Sequence, residues 1–169
     1  MNRLFPNAKR AMATDLTSQA AALPMLPPPR LNVAQRLRQA TRLAQVRTEL
    51  VEAYQLALRR WMGDPVLMAL GLPFVSEGYR SSAAQDELYT HGRSAPGPVV
   101  TYKRGGESKH NLLPSRALDV AFLLADGSVS WSGLLLGKFA RLMKAADARV
   151  HWGGDWPKFK DFPHFEVLS

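Results

Sequence analysis

The 169-residue chain contains no cysteine, so neither a disulfide nor a thiolate metal ligand is open to it. Any transition-metal site must therefore be built from His, Asp and Glu. No run approaches the roughly 18 apolar residues that a membrane-spanning helix needs, and no stable membrane insertion is expected. The opening "MNRLFPNAKRAMATDLTSQAAALPMLPPPR" begins basic but lacks a continuous apolar stretch, which argues against a cleaved secretory signal. Acidic residues are few, 14 against 22 Lys and Arg, which leaves a net charge of +8. Such a surplus favours an anionic partner: nucleic acid, an acidic membrane face or a bacterial wall polymer. The basic residues are scattered, without a Lys/Arg run interleaved with aromatics, so a nucleic-acid surface is not expected. What is present is apolar content of 46%, enough for one core, which excludes a disordered chain.

Residues 1–32 read as a Pro-rich basic tail. Pro6, Pro24 and the triplet Pro27, Pro28 and Pro29 oppose helix and favour extended polyproline backbone. Asn32 is a suitable helix cap. Leu43, Val46, Leu50, Ala53, Ala57 and Trp61 then recur at spacings of three and four, which predicts one long amphipathic helix over 33–62, ended by "GDP" at 63–65. Its stripe packs on its own domain or on a partner helix, the first being the commoner outcome. A third unit spans 70–169. There "PFVSEGYRSS" predicts a strand over Phe74–Ser76, and "AAQDELYTHG" a helix capped by Ser81 or Ser82; residues 93–107 form a Gly- and Pro-bearing loop. A strand in "RALDVAFLL", a turn at "ADGS" and a returning "VSW" come next. A helix over "GLLLGKFARLMKAADA" follows, with Leu134, Leu135, Phe139, Leu142 and Met143 inward. Strands in "VHW" and "PHFEVLS" end the unit. The alternation lacks the regularity of a parallel βαβ array, which predicts an α+β fold.

A hydrolytic zinc site takes three protein ligands, leaves one position for water, and needs a carboxylate close to that water. His110, Asp119 and His164 can supply the ligands, and Asp161 the base. Asp119 opens an otherwise apolar strand, where an unpartnered buried carboxylate is costly; a metal ion or a buried Arg would each remove that cost. Strand alternation in "PHFE" puts His164 and Glu166 on one face. Pro163 cannot donate to a sheet ladder, so Asp161 falls in the irregular entry to the strand, within reach of a metal-bound water. Glu166 is either an acceptor for an imidazole N–H or a solvent-exposed acid. His91 is read as a helix-end residue. His151, beside "WGGDW", is read as a surface residue or part of a cleft. Trp152 and Trp156 are packing or cleft wall, and Asp155 holds the Gly153–Gly154 turn.

The segments "GYRSSAAQDELYTHGRS", "SKHNLLPSRALDVAF" and "WGGDWPKFKDFPHFE" resemble, in order, the three signature regions of the zinc-dependent D-Ala-D-Ala carboxypeptidase and L-alanyl-D-glutamate endopeptidase family. The resemblance covers about residues 70–168. It implies a small, mostly antiparallel sheet flanked by helices, of the type shared with hedgehog domains, with one Zn²⁺ per chain in the cleft. It implies that His110, Asp119 and His164 bind the metal and that Asp161 is the general base. Arg80 would support the substrate carbonyl and its tetrahedral intermediate, a role that suits a permanently charged guanidinium. Ser108 falls on the serine of the first-histidine motif, and Gln85 and Tyr89 on the helix that supports the Arg80 loop. His110 and Asp119 stand nine positions apart, two more than is usual in the family, and "LLPS" lengthens the turn between them. An even insertion leaves strand alternation free to be restored, so Asp119 is retained as the ligand; Asp126, the alternative, reads better as a turn residue. The implied function is hydrolysis of peptidoglycan stem peptides. Cleavage between L-Ala and D-Glu by a phage-type endolysin in bacterial lysis is the first expectation. A D-Ala-D-Ala carboxypeptidase of wall metabolism, or a non-catalytic wall-binding or virion module on the same fold, are its rivals. The endolysin reading carries with it a monomer, held in the host cytoplasm until a holin releases it and then drawn by its positive charge to the anionic wall.

Overall fold

The sheet is organised around β2 (Ala117–Leu123), whose alternate side chains serve two different purposes. β1 (Leu72–Glu77) pairs antiparallel with one edge of β2. Along the other edge run β3 (Val129–Ser130) and β5 (His164–Val167) in tandem, and β4 (Val150–Trp152) closes the sheet beyond β5. All pairs are antiparallel. Residues 27–168 are described in this computed structural model, so the expected tail lies, up to residue 26, outside them.

Leu118, Val120 and Phe122 of β2, with Phe165 and Val167 of β5, share one core with α2 (Thr48–Met62) and α5 (Gly133–Ala146). Leu50, Ala53, Tyr54, Ala57 and Trp61 of α2 meet Leu136, Phe139, Ala140 and Met143 of α5 in that core. Trp61 is fully buried, tilted against Phe122 at 5.0 Å between ring centroids, and its indole N–H donates to the Gly71 carbonyl at 2.8 Å. The intervening residues, Asp119, His164 and Glu166, take the opposite face because strand side chains alternate with period two. Helices thus cover one face of the sheet and the polar cluster occupies the other, an α+β arrangement as expected.

The single helix expected over 33–62 is two: α1 (Val33–Leu43) and α2. Ser115 interrupts it. Its N–H donates to the Gln45 carbonyl at 2.7 Å, and its carbonyl accepts from Arg47 N–H at 2.9 Å, so a distant loop takes backbone bonds at the junction. α1 then lies against the free edge of β1, where Gln39 Oε1 accepts from Val75 N–H at 2.8 Å and Arg42 donates to the Val75 carbonyl at 3.2 Å. This satisfies backbone groups that an edge strand otherwise exposes. The stripe read from the sequence does pack within its own domain rather than on a partner. α3 (Pro65–Ala69) follows Asp64, whose carboxylate caps it.

In α5 the inward set differs from expectation. Leu136, Phe139, Ala140 and Met143 form the i, i+3, i+4, i+7 stripe; Leu135 and Leu142 pack partly buried beside it, and Leu134 is 72% exposed. Leu134 lies two residues, about 200° of helix, before Leu136 and so faces away from the sheet. None of the described helices is long and apolar enough to cross a membrane.

Candidate metal centre

β2 and β5 are registered so that Asp119 and His164 are direct Cα partners. His110 reaches the same point from a 3-10 turn, Lys109–Asn111, in the loop that precedes β2. Ser108 caps that turn, its Oγ accepting from His110 N–H at 3.3 Å. Asn111 Oδ1 accepts from the Ser108 and Gly106 N–H groups, and its amide donates to the Arg80 carbonyl at 2.8 Å. The segment between His110 and Asp119 makes an excursion that docks on the α1–α2 junction through Ser115 and returns before β2 begins. Strand register with His164, not the count from His110, places Asp119.

His110, Asp119 and His164 bring one ligand atom each within 4.8 Å of one another. His110 Nε2 is 3.2 Å from Asp119 Oδ1 and 3.1 Å from His164 Nδ1, and His164 Nδ1 is 3.3 Å from Asp119 Oδ1. The outer ring nitrogens decide the proton count. His110 Nδ1 donates to the Gly78 carbonyl at 2.6 Å and His164 Nε2 donates to Glu166 Oε2 at 3.2 Å. Each neutral ring therefore turns a bare lone pair inward. In these tautomers two imidazole lone pairs and a carboxylate oxygen converge, an arrangement stable only around positive charge, which a metal ion supplies when bound and a proton on His164 supplies without one. Burial works against a charged His164, yet its hydrogen bonds to Asp119 and Glu166 outweigh it and push its pKa up to about 10. Burial likewise pushes Asp119 up, but the charges and hydrogen bonds of His110 and His164 hold its carboxyl well below the usual range. The donor set, two imidazoles and one carboxylate, suits a divalent metal with an open position.

Asp119 Oδ2 faces Arg80, whose guanidinium stands 3.5 Å away. The metal and the Arg offered as alternatives for balancing this carboxylate are thus not exclusive. Arg80 donates to Gln85 Oε1 at 2.9 Å and lies 3.8 Å from Glu77; its backbone N–H donates to the His110 carbonyl at 2.9 Å. Gln85, on α4 (Ser82–Thr90) and capped by Ser81, is buried and also donates to the Lys103 carbonyl at 2.8 Å. Asp161 enters from the segment before β5 and lines the same cleft of about 360 Å³. Burial raises its pKa, and the negative charge of Asp119 adds to that; His164, His110 and Arg80 pull the other way. Gly153 makes room for it, since a Cβ there would stand 2.4 Å from the Asp161 carbonyl oxygen.

The cleft walls are aromatic: Trp131, Trp156 and Phe159, with Tyr102 edge-on to Phe159 at 5.2 Å. Trp156 packs 5.2 Å from the His164 ring, while Trp152 donates to the Phe162 carbonyl outside the cleft. His151 is exposed and does not line the cleft, and His91 is also absent from its walls. Asp155 does not hold the glycine turn; it forms an ion pair with Lys144 of α5. Asp126 accepts from Ser128 in the turn before β3, far from the metal-type cluster, as its turn reading implied. A larger hollow of about 470 Å³, lined in part by Arg47, Leu113 and Arg116, contains none of these residues. Sequence reasoning missed Asn111, for which the "SKHN" capping pattern was the available signal, and Glu77 and Trp131, for which there was none.

A family model described as D-alanyl-D-alanine carboxypeptidase matches residues 102–167. The chain is 45% identical over 101 residues to the peptidoglycan L-alanyl-D-glutamate endopeptidase CwlK of Bacillus subtilis, an alignment that covers 56% of this chain and 59% of that protein. The chain thus spans just under three fifths of the length of this curated relative. Its structure is similar to that of the L-Ala D-Glu endopeptidase ChiX of Serratia marcescens, with a TM-score of 0.58, 32% identity, and coverage of 78% of this chain and 86% of that one. Taken with the convergent His110, Asp119 and His164, these likenesses mean that the chain belongs to the D-Ala-D-Ala carboxypeptidase and L-alanyl-D-glutamate endopeptidase family.

Proposed function

We propose that the chain is a zinc-dependent peptidoglycan L-alanyl-D-glutamate endopeptidase of the endolysin type. The observation that carries the reading is the inward convergence of two imidazole nitrogens, on rings whose outer nitrogens meet acceptors, and a carboxylate oxygen beside Arg80 and Asp161. His110 Nε2, Asp119 Oδ1 and His164 Nδ1 would hold the ion. Bound zinc supplies Lewis acidity and a water of lowered pKa. Asp161 accepts the proton of the attacking water and delivers it to the leaving amine; its raised pKa moves it towards the range where both transfers are efficient. Arg80, held by Gln85 and Asp119, donates to the carbonyl oxygen as charge develops there. Gly78, through its carbonyl, and Glu166 keep the imidazoles in the metal-binding tautomer. The net charge of +8 supports attraction to an anionic wall and so a role in lysis.

The purified protein should hold about one zinc per chain, as a three-ligand catalytic site does. It should release peptides with a new N-terminal D-Glu from sacculi, read by mass spectrometry, and chelation should abolish that release. Full activity in a metal-free preparation would sink the metal mechanism. Release of free D-Ala alone would replace the endopeptidase reading with a carboxypeptidase one.

A further inference from the structure

A second basic residue besides Arg80 lines the cleft. Lys103 lines it from the loop that follows α4, and among the described residues no carboxylate lies within ion-pairing distance of its ammonium. Its two basic neighbours in that loop are committed elsewhere. Arg93 donates to the Tyr89 carbonyl at 2.6 Å and the Thr101 carbonyl at 3.1 Å, and lies 3.8 Å over the Tyr89 ring. Arg104 stacks on the same ring at 4.7 Å. Neither lines the cleft.

The backbone of Lys103 is fixed. Its N–H donates to Thr101 Oγ1 at 3.1 Å and its carbonyl accepts from Gln85 Nε2 at 2.8 Å. Gln85 is 1% exposed, and its Oε1 accepts from Arg80 at 2.9 Å. One buried side chain therefore ties the Lys103 backbone to the Arg80 guanidinium, and the lysine side chain starts from a fixed point at the cleft. Such an arrangement suits a substrate with two anionic or charge-developing points a short distance apart.

A stem peptide has that character at the proposed bond. D-Glu is joined to L-Ala through its amine and to the next residue through its γ-carboxyl, so its α-carboxylate is free beside the scissile amide. Bringing that carboxylate into a cleft already lined by Asp119, Asp161, Glu107 and Glu166 is costly unless a cation meets it. Arg80 is engaged by Gln85, Asp119 and Glu77. We infer that Lys103 binds the free α-carboxylate of the D-residue that follows the scissile bond, and so discriminates against stem peptides in which that group is an amide. The inference rests on the proposed cleavage before D-Glu.

The test compares two soluble muropeptides that differ only in carrying D-Glu or D-isoglutamine, with the zinc-loaded full chain. The parent protein should favour the D-Glu substrate in kcat/KM by about tenfold to hundredfold, the range for loss of one charge-assisted hydrogen bond. Lys103→Gln should lose that factor on the D-Glu substrate and almost nothing on the amide, and Lys103→Arg should keep most of the preference. Lys103 is exposed, and an unchanged thermal unfolding curve and zinc content would show that the variants are folded. Equal parent rates on both substrates, or the same loss on both in Lys103→Gln, would overturn the inference and leave the endopeptidase reading intact. Cleavage at a different bond, or at none, in both substrates would overturn that reading and the inference with it.

Discussion

Asp119 divides its two oxygens between different tasks, with Oδ1 turned to the histidines and Oδ2 to Arg80. In the proposed mechanism this carboxylate both holds the metal and orients the Arg80 guanidinium, which would couple metal binding to transition-state stabilisation. Removing it should therefore damage both. Asp161 differs in standing near the cluster without joining it, which separates the two roles by experiment. In Asp161→Asn the protein should stay folded and keep its zinc while turnover falls by roughly 10²- to 10⁴-fold, the usual cost of losing a general base. In His164→Ala the zinc itself should go. Metal analysis of the two variants side by side checks the assignment: loss of zinc from Asp161→Asn would make that residue a ligand.

At the scale of elements, the segment between β4 and β5 brings Asp161, the proposed base, to the cleft of the His110, Asp119 and His164 cluster. Gly153 accepts both the Trp156 and the Asp161 N–H groups on its carbonyl, and its α-carbon is so near the Asp161 backbone that no side chain fits between them. Gly153→Ala must push Asp161 outward. A displacement on the order of 1 Å at a catalytic group costs about 10²-fold in rate, and that loss is expected here with zinc content and far-ultraviolet circular dichroism retained. Near-parent activity in this variant would mean that the segment does not position the base. On the other side of the cleft, α4 does comparable work through Gln85, which anchors Arg80 and the 101–103 loop together.

For the molecule as a whole, the two-layer arrangement separates stability from chemistry. Trp61, Tyr54 and Phe139 fill the face between sheet and helices, and the chemistry-bearing residues stand on the face away from it. α1 and α2 belong to this body and are not an appendage to it, since α2 supplies five buried residues to the core. The surplus of positive charge acts at the same scale. If it draws the protein to an anionic wall, clearing of sacculi should weaken several-fold as salt rises from 0.05 to about 0.5 M, because the screening length shortens to a few ångströms. Hydrolysis of a small soluble muropeptide should change little over that range. Parallel rates on both substrates would remove charge steering from the account.

The chain's order of residues was enough to identify the family and to single out the His110, Asp119 and His164 group that the fold brings together, because metal chemistry demands particular side chains and "SKHN", "LDVAF" and "DFPHFE" carry them in short, nearly contiguous pieces. It was enough for the sheet and the core stripe of α2 as well, since periods of two and of three to four residues record which face is buried. The proton count was legible only in part, through Glu166 as one candidate acceptor for an imidazole N–H. It depends on Gly78 and Glu166 taking the outer imidazole protons, contacts between His110 and a carbonyl 32 residues earlier and between strand neighbours of one face. The break between α1 and α2 was hidden, since there the periodicity runs on unbroken and only backbone bonds to Ser115 interrupt it. The division of labour among Arg93, Lys103 and Arg104 was equally hidden, because three similar basic residues in one loop are told apart only by where each lies in space: against a tyrosine ring for two of them, in the lining of the cleft for the third.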